Sequence, residues 1–123
     1  MSIVGGGTVL YNSAGTVATV NVSAGTLGGT SPVTVTGPLT LAGGAVTSPL
    51  LNATGGLKIG GGVTLNGGKL LNYGTGLWTA GNFAGANGAV FSNLFGATLT
   101  TTVDGNASSA GGATPLFVNA GTF

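Results

Sequence analysis

The smallest set of side chains that cuts a bond without a cofactor is a nucleophile, a base to activate it and a group to orient the base. Here the only carboxylate side chain is Asp104, and the chain has no His and no Cys. Ser92 or Thr101 as a nucleophile would therefore have no base beside it. Glycoside hydrolysis needs two carboxyl groups about 5–10 Å apart, and this chain cannot supply the second. Zinc prefers His or Cys and calcium several carboxylates, so "TVDGNA" (102–107) reads as a turn rather than a metal loop. "GGVTLNGGKLL" (61–71) departs from a phosphate loop, which needs Gly where Val63 stands and Ser or Thr where Leu70 stands. The expectation is a protein that is not an enzyme and takes no cofactor.

Charge excludes further classes. With 2% charged residues and a net charge of +1, there is no cluster of Lys and Arg to release counterions from a polyanion; Lys58 and Lys69 are the only basic side chains. Nucleic acid is not an expected partner. Low charge also raises the membrane, but no run of about 18 apolar residues is free of Gly, Thr or Asn. Trp78, Tyr11 and Tyr73 are too few for the aromatic girdles of a membrane barrel. Membrane insertion is not expected. The 27 glycines suggest disorder, yet 42% hydrophobic content, much of it β-branched and alternating, argues for a folded chain.

The elements must come from repetition. Asn preceded by apolar residues and followed closely by Gly recurs in "LLNATGGL" at Asn52, "LLNYGTGL" at Asn72, "FSNLFGATL" at Asn93 and "FVNAGTF" at Asn119. The spacings of 20, 21 and 26 residues lie in the range of solenoid coils. Between them "VTVTG" (33–37), "PLTLAGG" (38–44), "LKIGGG" (57–62), "VTLNGG" (63–68) and "ATLTTTVDG" (97–105) alternate with period two, the signature of half-buried strands. No window has helical spacing. Insertions are expected in "AGNFAGANGAV" (80–90) and "GNASSAGGAT" (105–114).

Strands this short are marginal alone. Stacked as coils at about 4.8 Å, they would each pair with the copies before and after and bury a continuous core. The fold expected is an all-β parallel β-helix of about six coils of roughly 20 residues, a single domain over residues 1–123 with little or no α-helix. Asn52, Asn72, Asn93 and Asn119 would form a structural amide ladder, with Leu70 and Leu71 over Leu50 and Leu51. The rival is an antiparallel sandwich, since Asn66-Gly67 and Asn87-Gly88 are hairpin signals.

Surface contacts are the remaining chemistry. Thr34 and Thr36, and Thr98, Thr100 and Thr102, would set hydroxyls on one strand face, as a water-ordering surface or simply as good strand residues. Trp78, Tyr73, Phe83, Phe91 and Phe95 form a cluster that is either core or a platform for sugars. Leu77 and Trp78 must face opposite ways; with Leu77 inward, Trp78 is outward. Three glycosylation sequons occur, at Asn21, Asn52 and Asn106.

Over residues 25–83, then "FSNLFGAT" (91–98) and "FVNAGTF" (117–123), the chain resembles bacterial surface adhesins of the filamentous-haemagglutinin and autotransporter-passenger type. The resemblance implies a right-handed solenoid that is extracellular or on the cell surface, acting as a stalk or adhesive filament. The opening "MSIVGGG" lacks the basic and apolar regions of a secretory signal, and "PLFVNAGTF" stops inside a repeat, which reads as a fragment of a longer chain. Uncapped coil ends and little charge suggest head-to-tail association with itself, into an oligomer or filament. Host or surface glycans are the other partners considered. The alternative is a ligand-binding solenoid, for carbohydrate or ice, that uses the Thr faces or Trp78.

Overall fold

A computed structural model describes residues 1–123. The chain winds through 18 short strands and no helix. The first coil contains β1 (Ser2–Ile3), β2 (Thr8–Tyr11) and β3 (Gly15–Val17), and the second β4 (Val20–Val22), β5 (Thr26–Gly29) and β6 (Val33–Val35). The third has β7 (Leu39–Leu41), β8 (Ala45–Val46) and β9 (Leu50–Ala53); the fourth has β10 (Leu57–Gly60), β11 (Val63–Asn66) and β12 (Lys69–Asn72). The fifth holds β13 (Thr75–Ala80), β14 (Phe83–Ala86) and β15 (Val90–Asn93), and the last β16 (Thr98–Thr101), β17 (Ala107–Ser109) and β18 (Leu116–Asn119).

Each strand of the inner coils pairs with the strand three before and the strand three after it. This gives three six-stranded sheets, β1-β4-β7-β10-β13-β16, β2-β5-β8-β11-β14-β17 and β3-β6-β9-β12-β15-β18. Every pairing is parallel, as between Leu57 and Leu39 or Val63 and Phe83. The parallel β-solenoid is thus the fold observed, and the sandwich is excluded. Asn66-Gly67 and Asn87-Gly88 are corners between strands of different sheets, with positive φ at Gly67, Asn87 and Gly88.

Period two decides which residues face the axis. Val33 and Val35, Leu39 and Leu41, Leu57 and Ile59, and Val63 and Leu65 are all buried, while Thr34, Thr40, Lys58 and Thr64 between them are not. The buried residues join one cluster of 21 running from Ile3 to Leu99. Full burial of each such aliphatic side chain contributes about 1.5–3 kcal/mol, which three-residue strands could not gain in isolation.

The corners stack as closely as the strands. Gly44 has φ +76 and Gly25 below it φ +95. A Cβ on Gly44 would collide with the Gly25 carbonyl oxygen, and one on Gly25 with that of Gly7. Glycine is required here twice over, for left-handed backbone and for the close approach of successive turns.

Coil length is not constant. In the third sheet the pairings Val33↔Leu51, Leu51↔Leu70, Leu70↔Phe91 and Phe91↔Phe117 step 18, 19, 21 and 26 residues along the chain. The extra residues sit at corners 94–97, 102–106 and 110–115, each longer than its counterpart one coil earlier. The segments 80–90 and 105–114, expected as insertions, are only partly so: β14 lies within the first and β17 within the second. Their small residues fit strands because their neighbours fill the space. At buried Gly85 the ring of Pro115 stands where a side chain would be.

Candidate functional site

The polar feature built most deliberately into the fold is a row of amides inside the wall. In the third sheet, one inward column reads Val17, Val35, Ala53, Asn72, Asn93, Asn119 from the first coil to the last. It changes from apolar to amide half-way along. Asn72 Nδ2 donates to Asn93 Oδ1 at 2.9 Å, and Asn93 Nδ2 to Asn119 Oδ1 at 2.8 Å. The same nitrogens also satisfy corner carbonyls, Asn72 that of Thr98 at 3.0 Å and Asn93 that of Thr122 at 2.8 Å. Asn72 further bonds its own corner, donating to the Gly74 carbonyl and accepting from the Gly74 N–H.

Asn72 and Asn93 are fully buried. A buried amide without partners costs about 1–3 kcal/mol, so the ladder holds only because each rung supplies what the next lacks. It also ties the third sheet to the first, since Thr98 opens β16 and Thr122 pairs with Thr98.

Asn52 does not belong to this ladder, contrary to the sequence expectation. Asn52 pairs with Thr34 below and Leu71 above, in the outward column. Its Nδ2 donates to Thr34 Oγ1 at 3.3 Å, and its buried Oδ1 has no partner. The motifs at Asn52 and Asn72 are 20 residues apart, but the coil between them steps 19, pairing Leu51 with Leu70 rather than with Leu71. The expected stack of Leu70 and Leu71 on Leu50 and Leu51 is therefore shifted by one: Lys69 lies over Leu50 and Leu71 over Asn52. Leu51 and Leu70, both fully buried, force this register.

Trp78 faces the core, not the solvent as expected of a surface contact. It is only 4% exposed, whereas Leu77 is 37% exposed. Trp78 stands over Ile59 in the column of core residues, its Nε1 donating to the Gly81 carbonyl at 3.0 Å. Gly105 packs against the indole, where a Cβ would come within 2.7 Å of Cζ2. The reason lies two residues earlier. Gly76, not Leu77, takes the core position over Leu57, leaving space used by Leu99 Cδ1 and Asn72 Nδ2, which a Cβ on Gly76 would approach to 2.8 and 3.0 Å. Trp78 is thereby removed as a surface contact.

The threonines do not form one face. Thr100 is exposed, but its column runs through Leu77, Lys58 and Thr40. Thr98 sits over Thr75, and Thr102 lies beyond β16. Thr34 is half-buried, in a column with Thr16 below and Asn52 above, and Thr36 is exposed at the end of β6.

Aromatic residues near the last coil were only partly anticipated. Phe83 meets Phe91 edge-on at 5.4 Å between ring centres, Phe91 stacks on Phe117 at 4.9 Å, and Phe123 meets Phe117 edge-on at 5.7 Å. Phe83 and Phe91 are buried, and Phe95, grouped with them by sequence, is 93% exposed. Of the missed residues, Phe117 and Phe123, the first had a signal: an aromatic stands two places before Asn in both "FSN" and "FVN". Beside these rings lies a hollow of about 230 Å³ whose lining includes Leu65, Phe83, Phe91, Ser108, Ser109, Pro115 and Phe117. It lies where the inward column of the second sheet shrinks from Val46 and Leu65 to Gly85 and Ser109, and Pro115, whose ring takes the place of a Gly85 side chain, is one of its walls.

No three His, Cys, Asp or Glu side chains come together to hold a metal ion, and no helix is long and apolar enough to cross a membrane. No protein-family model, curated protein or solved structure matches the chain.

Proposed function

We propose that this chain is a structural rod segment of an extracellular bacterial surface or filament-forming protein, whose work is length, stiffness and end-to-end association. The observation that carries the reading is the last coil. Two rings over its inward columns are not covered: Phe117, which stands over buried Phe91, is 40% exposed, and Phe123, beside Leu99, is 59% exposed. Strand edges left open beside apolar side chains favour pairing with another edge, and with three charged side chains in 123 residues nothing repels a second copy. Six rungs at about 4.8 Å make a segment roughly 25–30 Å long. The outward columns, mixed in size and polarity, suit a spacer or an adhesive wall better than a catalytic cleft.

Light scattering over a concentration series, with negative-stain electron microscopy of the same samples, tests this. The expected result is a mass that rises with concentration and particles that lengthen without widening. A fixed monomer mass at high concentration would remove the association from the proposal.

A further inference from the structure

Resting on the reading above, we infer that the last coil is a docking face for the first coil of a second copy, entered in the same parallel register that links the internal coils. The columns specify what would meet what. Val9 leads the column Leu27, Val46, Leu65, Gly85, Ser109. One further step places Val9 of the incoming copy over Ser109, at the hollow between Phe83, Phe91 and Phe117. Gly15 leads the column that ends in Phe117. The Tyr11 ring lies where a Gly15 side chain would be, with Cδ1 3.1 Å from that place, so Phe117 would meet an aromatic face there. Val9, Tyr11 and Val17 are partly buried against the core from the first-coil end, so that end also offers apolar surface.

Two positions fit less well, and they make the proposal specific. Thr122 pairs with Thr98, which carries Phe123 to the place over Leu99 that Met1 of the incoming copy would take. Met1, already 39% exposed, has to turn aside. Val17 would lie against Asn119, whose Oδ1 is taken by Asn93 and whose Nδ2 has no protein acceptor. An amide in place of Val17 would continue the ladder across the junction, whereas Val17 breaks it.

The experiment is sedimentation velocity on wild type, Ser109→Glu, Ser108→Glu and Val17→Asn. Ser108 and Ser109 are neighbours on β17, both exposed in the single copy and both lining the hollow, but alternation sets the Ser108 side chain on the outward column over Ala84 and that of Ser109 on the inward column over Gly85. The two glutamates add the same charge one residue apart. Ser109→Glu is expected to weaken association by about tenfold or more, since docking buries the carboxylate. Ser108→Glu is expected to leave it within about twofold, and Val17→Asn to strengthen it by about threefold or more. Growth should be open-ended, because a head-to-tail contact does not close.

Equal effects of the two glutamates, weakening by Val17→Asn, or a species that stops at the dimer would each overturn this docking while leaving self-association standing. A wild type that stays monomeric overturns both. Circular dichroism melts of each variant separate loss of docking from loss of fold.

Discussion

Asn72 Nδ2 sits 2.9 Å from Asn93 Oδ1, both side chains fully buried, one rung apart in the same wall. The contact is available only because the coil between them steps 21 residues, the same interval that separates the two motifs. Where interval and step disagree, as at Asn52, the same residue type ends up in the outward column.

Substitution should separate the two kinds of Asn. Asn72→Leu removes the donor to Asn93 and to the Thr98 carbonyl and strands both acceptors, at a cost of about 1–3 kcal/mol. Asn52→Leu removes one bond of 3.3 Å together with an unpartnered oxygen, and should change stability by less than about 0.5 kcal/mol. Urea unfolding of both variants checks this; equal losses would mean that the ladder contributes nothing of its own.

Trp78 should behave as a core residue. Its fluorescence should be blue-shifted in the folded protein and nearly insensitive to acrylamide, with quenching restored on unfolding, as expected of a ring 4% exposed beneath Gly105. Strong quenching in the native state would contradict its placement over Ile59.

Gly44→Ala places a Cβ against the Gly25 carbonyl at a residue with φ +76. Left-handed strain alone costs about 1–3 kcal/mol, and the collision with a neighbouring backbone adds to it. Gly62→Ala, at a glycine whose added Cβ meets nothing within 4 Å, is the control and should cost less than about 1 kcal/mol. Thermal melts of the pair would show whether corner stacking limits stability.

No thermal hysteresis is expected from the threonine rows. Ordering water over a face needs a regular array, and Lys58 and Leu77 interrupt the column that contains Thr40 and Thr100. A measurable freezing-point gap would show that a shorter row suffices.

The solenoid was legible in the sequence because two signals agree: alternation within strands, as in Val33, Val35 and Leu39, Leu41, and repetition between them. What alternation cannot show is its phase when a glycine stands in the core. Gly76 holds an inward position, so the apolar pair Leu77 and Trp78 gave the wrong answer, and only the packing of Leu99 and Asn72 into the vacated space reveals it. Register failed at Asn52 for a related reason. Two segments both spelled Leu-Leu-Asn invite letter-for-letter alignment, but a one-residue slip exchanges the faces, and burial of Leu51 under Leu70 outweighs matching an amide to an amide. The hollow near Ser109 was invisible because one of its walls, Pro115, comes to Gly85 from thirty residues away.

The lengthened corners at 94–97, 102–106 and 110–115 leave Phe91, Ser92 and Asn93 in step with Phe117, Val118 and Asn119. Extra chain at these corners is thus absorbed without a change in the rungs, even though Ala97, Val103 and Pro115 turn back onto the core. These three places are where a foreign peptide could be grafted and held at a set height along the axis.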